Sequence, residues 1–204
     1  MVARRFLAIA CCLTAGFLAA AEAKQTWTFE DDAPGTVPRG FREEVGEWKT
    51  ALVDRGKVLF QSAKNPDKVF NVVLVDGFEV QDVDLSVRFK AVSGDDDRGG
   101  GLVWRAKDKD NYYICRYNPL ENNFRLYHVV AGKRTLLDSR DIKHTDGWHT
   151  LRVTMRGDGI DCYYDGKRYL DAEDTTFADA GRIGLWTKAD ARTYFDDLTV
   201  SGDF

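Results

Sequence analysis

The sequence predicts an all-β protein built as a two-sheet antiparallel β-sandwich. Three observations carry this. Short β-prone runs recur at close, regular spacing, separated by Gly, Asp, Asn and Pro turn signals, which marks a sandwich or barrel. The longer runs alternate strictly, as strands with one buried and one wet face do. No helical period is sustained, and strands never alternate with helices, so a doubly wound α/β fold is disfavoured.

The elements follow in order. A first strand is expected over 27–30 (Trp-Thr-Phe-Glu), then a loop over 31–40 punctuated by Pro34-Gly35 and Pro38. Further strands are expected at 48–53, 57–61, 69–75, 82–92, 101–106, 112–117, 123–130, 134–138, 149–155, 159–164, 168–171, 182–187 and 193–201. In the run 82–92, Val83, Leu85, Val87 and Phe89 share one face, while Asp84, Ser86, Arg88 and Lys90 share the other. Leu151, Val153 and Met155 repeat the pattern, as do Ile183 and Leu185 with Trp186 on the opposite side. Asp165-Gly166 between two β-prone runs suits a type I′ hairpin, which needs φ > 0 at both central residues. The one candidate for a helical turn is 174–180.

Residues 1–23 read as a signal peptide. Arg4 and Arg5 form a positive n-region, 6–20 is apolar, and Ala21-Glu22-Ala23 is an A-x-A cleavage site. The apolar run falls short of the roughly 20 residues that span a bilayer, and no later stretch suits a span. It also continues past Cys11 and Cys12, against lipidation there. An exported protein, periplasmic or extracellular, is expected, with residues 24–204 as one domain of about 180 residues. Removing Arg4, Arg5 and Glu22 lowers the basic count from 29 to 27 and the acidic count from 33 to 32, so the net charge moves from −4 to −5. That balance argues against a nucleic-acid partner. Cys115 and Cys162 remain, either as a disulfide or as small buried hydrophobes. Two cysteines far apart make a poor zinc site. Gly99-Gly100-Gly101 lacks the Gly-Lys-Ser/Thr and helix of a phosphate loop.

Several strings carry a resemblance: Gly100-Gly101-Leu102-Val103-Trp104-Arg105-Ala106, Asp110-Asn111-Tyr112-Tyr113, Trp148-His149 with Leu151, Asp165-Gly166-Lys167, Gly184-Leu185-Trp186 and Phe195-Asp196-Asp197. Residues 26–201 resemble the concanavalin A-like lectin/glucanase superfamily. The closest group is the secreted bacterial set related to 3-keto-disaccharide hydrolase-like and laminin G-like domains. The resemblance implies a jelly-roll with one concave sheet on which glycans bind. The Glu-x-Asp-x-(x)-Glu strand of family-16 glucanases is absent; Glu79-Val80-Gln81-Asp82-Val83-Asp84 has the wrong order. The opening Leu-Phe-Asn-Gly-Lys and the Glu-x-Gln-x-x-Asp string of the keto-disaccharide group are also absent, so no catalytic residue is carried over.

A glycosidase needs two carboxyls across a sugar ring, ~5–5.5 Å apart for retention or ~6.5–9.5 Å for inversion. Asp82 and Asp84 share a strand face, which is equally the pattern of a solvated face. None of His128, His144 and His149 has a Ser or Cys at triad spacing. A carbohydrate-binding surface fits better, with aromatic platforms and a few placed polar groups. The candidates are Arg105, Asn111, Tyr112, Arg116, Trp186 and Lys188. The alternative for them is that Trp186 packs beneath a loop and the arginines pair with acids. A structural calcium between the first and last strands would draw on Glu30, Asp31, Asp32, Asp196 and Asp197; their spacing fits no EF-hand. The leading function is glycan binding or accessory work on polysaccharide. The alternatives are a hydrolase of the keto-disaccharide type and a laminin G-like adhesion module.

Overall fold

The computed structural model describes residues 23–54 and 56–202. These contain fifteen strands and no helix: β1 (Ala23–Trp27), β2 (Phe41–Val45), β3 (Trp48–Val53), β4 (Gly56–Gln61), β5 (Phe70–Val80), β6 (Val83–Ser93), β7 (Gly100–Asp108), β8 (Asn111–Asn118), β9 (Asn123–Val130), β10 (Lys133–Asp141), β11 (His149–Arg156), β12 (Gly159–Tyr164), β13 (Lys167–Glu173), β14 (Gly181–Lys188) and β15 (Arg192–Gly202). The leader and its cleavage site lie outside the described residues, apart from Ala23.

One sheet runs β13-β12-β11-β6-β15-β4-β3, with β1 also on β15; the other runs β10-β9-β8-β7-β14-β5-β2. All ladders are antiparallel. β15 is long enough to serve two partners along one edge. β4 takes residues 193–195 and β1 takes 198–202, with a bulge at Asp196–Thr199 between them. Asp197 sits there at φ 51, a conformation Asp tolerates.

The alternation read from sequence is the packing pattern. Val83, Leu85, Val87, Phe89, Leu151, Val153 and Met155 of one sheet meet Leu102, Trp104, Tyr113, Cys115, Phe124, Ile183 and Leu185 of the other in one buried core. The result is an all-β, two-sheet antiparallel sandwich of jelly-roll type. Asp165 and Gly166 take φ 47 and 78, as the expected hairpin requires, and Tyr164 pairs with Lys167.

Three expectations are corrected. The first strand is Ala23–Trp27, not 27–30: Phe29 turns the chain at φ 63 and accepts a bond from the Asp32 amide at 3.1 Å. Phe41–Val45 is a strand on the sheet edge, hidden in sequence because Arg42, Glu43 and Glu44 mask the period, as charges on edge strands do. Residues 174–180 form no helical turn; side chains from the strands beneath hold them as a loop.

Candidate functional site on the outer face of the seven-stranded sheet

The seven-stranded sheet carries a second apolar cluster on the face turned away from the core. Val72, Leu74, Val103, Ile114, Tyr112, Tyr127, Val129 and Trp186 are all buried there, with Phe70 packed on them. Curvature explains how an outer face can be buried. Arg134 on β10 sets its guanidinium carbon 4.8 Å from the ring centroid of Phe70 on β5. The two strands are five intervals apart, roughly 24 Å at about 4.8 Å each. No arginine–phenylalanine pair spans that on a flat sheet, so the sheet curls and its outer face is concave.

The same guanidinium lies 4.9 Å from Tyr127 and 5.7 Å from Trp186. The Trp186 indole N–H donates to the Tyr112 hydroxyl at 3.1 Å, and both residues are essentially inaccessible. Burial pushes the Tyr112 phenol far above its ordinary range. Gly101 stands in register between Arg116 and Trp186. A Cβ there would meet the Cys115 carbonyl at 2.4 Å and the Arg116 Cβ at 2.8 Å, so only glycine lets these neighbours close over the strand.

Along one end of the concave face runs a polar network. Arg116 donates to Asn123 Oδ1 at 2.6 Å and to Glu121 Oε2 at 3.0 Å. Arg125 approaches Glu121 at 3.7 Å and the Tyr127 hydroxyl at 3.4 Å. Asn118 donates to Asp97 Oδ1 at 3.1 Å, and Lys188 lies 3.5 Å from Asp97 Oδ2 while also pairing with Asp67. Burial pushes the Asp97 carboxyl up to about 6, against the opposing pull of Arg116 and Lys188. Burial also acts to raise Glu121, but hydrogen bonds from Asn123 and Arg116 outweigh it and hold that carboxyl low.

Of the six sequence candidates, Tyr112, Arg116, Trp186 and Lys188 meet on this face. Arg116 and Trp186 are 3% and 1% exposed. They build the floor and its network, with Arg116 paired to an acid. Arg105 is elsewhere. Its guanidinium donates to the carbonyls of Gln81 at 2.7 Å, Phe177 at 2.8 Å and Gly157 at 2.8 Å, clasping three loops. Asn111 stays at the β7–β8 turn, bonded to Asp108 at 2.9 Å and to the Ala131 amide at 3.0 Å.

The calcium ligands do not come together. Among the described residues no three His, Cys, Asp or Glu side chains gather as a metal site. Lys57 Nζ instead donates to the carbonyls of Glu30 at 2.6 Å and Asp32 at 2.9 Å, and the Glu30 carboxylate accepts the Lys57 amide. Asp32 faces Arg39, and Asp196 and Asp197 face Arg88. Of the five, Glu30, Asp32, Asp196 and Asp197 already have cationic side-chain or amide partners, and the set does not fit the ion.

Asp84 is held by Arg152 at 2.7 and 2.6 Å on the opposite sheet, and Asp82 accepts the Gly157 amide at 2.9 Å, so they form no catalytic pair on the concave face. His149 has both ring nitrogens engaged, by Asp165 at 2.7 Å and the Thr145 carbonyl at 2.8 Å. Asp174 receives the Tyr113 hydroxyl at 2.6 Å and contacts His128 Nδ1 at 3.0 Å, pinning the 174–180 loop. Sequence reading passed over Phe70, Asp97, Glu121, Tyr127 and Arg134. The alternation of Asn123, Arg125 and Tyr127 was a usable signal for the polar end; nothing distinguished Asp97 within its acidic triplet.

Residues 27–201 match the model of the 3-keto-alpha-glucoside-1,2-lyase-like domain family. The chain belongs to this family. No curated protein matches the lyase-like chain in sequence. Among solved structures it is similar to the carbohydrate binding module CBM66 from Bacillus subtilis, at TM-score 0.69 and 20% identity over 80% of this chain and 96% of that one. The GH43 BlXynB protein from Bacillus licheniformis is similar at TM-score 0.63 and 17% identity, over 86% of this chain but 39% of that one. The apo Crh5 transglycosylase is similar at TM-score 0.62 and 11% identity, over 89% of this chain and 85% of that one. At these identities the likenesses describe the sandwich fold. Among the described residues no helix is long and apolar enough to cross a membrane.

Proposed function

We propose that this lyase-like domain is an exported carbohydrate-recognising module that binds glycan on the concave face. The observation that carries the reading is the composition of that face. Phe70, Tyr127 and Trp186 form an aromatic floor beside Arg116, Arg125, Asn123 and Lys188, the pairing of apolar platform and placed polar groups that sugar sites use. Its family and its likeness to a carbohydrate binding module support the same reading. One observation favours a second reading, catalysis. Asp97, buried beside Lys188 with its carboxyl raised to about 6, is suited to proton transfer near neutral pH.

Calorimetry against oligosaccharides, with mass spectrometry of the same panel including 3-keto-glycosides, tests both. Saturable binding is expected, weakened at least tenfold by Phe70→Ala or Arg125→Ser while melting stays within a few degrees of wild type. Binding unaffected by either change would remove the concave face from the function. Time-dependent bond cleavage that Asp97→Asn abolishes would move the domain to the catalytic reading.

A further inference from the structure

The cations of the concave face are matched to carboxylates with one exception. Lys188 has Asp67 and Asp97, Arg116 has Glu121, and Arg125 shares Glu121 at 3.7 Å. Arg134 has none: among the described residues it makes no ion pair and no hydrogen bond, and its Nη1 is buried without a partner. What holds it are the rings of Phe70, Tyr127 and Trp186. Burial works against its charge, and the carboxylates of Asp97 and Asp67 support it only from beyond ion-pair distance. A half-buried guanidinium contacted by ring faces but by no carboxylate is a costly arrangement, because its desolvation is offset only by more distant charge. The rings fix the plane of its fork, which is the feature that makes arginine selective for planar anions.

Resting on the carbohydrate reading above, we infer that the glycan recognised is acidic, a uronate-containing saccharide whose carboxylate docks on Arg134. The carboxylate supplies the missing counter-charge and accepts two parallel N–H bonds. Phe70, the part-exposed aromatic against Arg134, offers its face to the adjoining pyranose. Arg116, already committed to Asn123 and Glu121, frames the site without competing for the ligand.

Matched oligosaccharide pairs test this by titration calorimetry on the chain from residue 24 onward: oligogalacturonate with its full methyl ester, oligomannuronate with mannan oligomers, and oligoglucuronate with cello-oligomers. The acidic member of at least one pair is expected to bind tenfold or more tightly than its neutral counterpart, about 1.4 kcal/mol, and to weaken as salt rises. Arg134→Met, which keeps the packing on the three rings, is expected to erase that preference. Arg134→Lys keeps the charge and loses the fork; it is expected to retain part of the preference and carries the test if the Met variant proves unstable. Equal binding of acidic and neutral partners, or a preference unchanged by both variants, would overturn the acidic-sugar assignment and leave the carbohydrate reading standing. Binding of neither member in every pair would overturn both.

Discussion

Asp97 illustrates how a single side chain can make this fold sensitive to pH. It is 5% exposed, and burial raises its carboxyl to about 6 from an ordinary value of 3.8. Between those two values the folded chain holds a proton that the unfolded chain releases. Folding stability from this group is therefore greatest below pH 4 and falls as pH rises to 6, by up to ~3 kcal/mol for a shift of this size. Asp97→Asn keeps the oxygen that accepts from Asn118 and removes the titration. Urea unfolding at pH 4, 5, 6 and 7 is expected to show the Asn variant gaining on wild type across that window. A constant difference at all four values would show that Asp97 titrates normally. Differencing against the variant also separates Asp97 from Glu121, Asp174 and Asp190, whose carboxyls are held low and whose effect lies at more acidic pH. No part of this was legible in the sequence. Asp95, Asp96 and Asp97 are chemically identical there, and only the strand partners Asn118 and Lys188 distinguish the third.

At the scale of elements, period-2 alternation located nearly every strand whose two faces differ in polarity, such as β6 and β11. It failed where faces do not differ. β2 is charged at its centre, and the 174–180 loop carries no period. The alternation also explains why the concave face was only half legible. Tyr112 and Arg116 on β8 share a face by simple counting, whereas Arg105 follows a β-bulge on β7, between Trp104 and Asp108, that breaks the count. The bulge turns Arg105, at φ 46, away from the concave face and toward the ends of three loops. There it acts as an internal clasp joining the β5–β6, β11–β12 and β13–β14 connections. Arg105→Met leaves the carbonyls of Gln81, Gly157 and Phe177 without their donor, at a cost of about 3 kcal/mol or more. For a chain of this size the melting temperature is expected to fall by roughly 10 °C. Hydrogen exchange should quicken first at 157–158 and 174–180. Rapid exchange confined to the concave face instead would place the arginine in the binding site after all.

For the molecule as a whole, the join between the two sheets is the decisive contact. Cys115 of β8 and Cys162 of β12 come from opposite sheets, are fully buried, and stand as free thiols. Burial, reinforced by the neighbouring Cys162 thiol, pushes the Cys115 thiol well above its ordinary range. Both sulfurs are inaccessible, so neither can attack a reagent or exchange with a disulfide until the sheets part. Sequence left both disulfide and buried thiol open, since export permits the first and strand position the second; the structure has them as free, buried thiols. The chain from residue 24 onward, kept without reductant, is expected to be inert to Ellman's reagent under native conditions and to release both thiols in denaturant. In mild denaturant its labelling should follow global unfolding, because no smaller opening separates β8 from β12. Silence in full denaturant would mean that the two sulfurs are bonded, and fast labelling under native conditions would mean that the sandwich opens without unfolding.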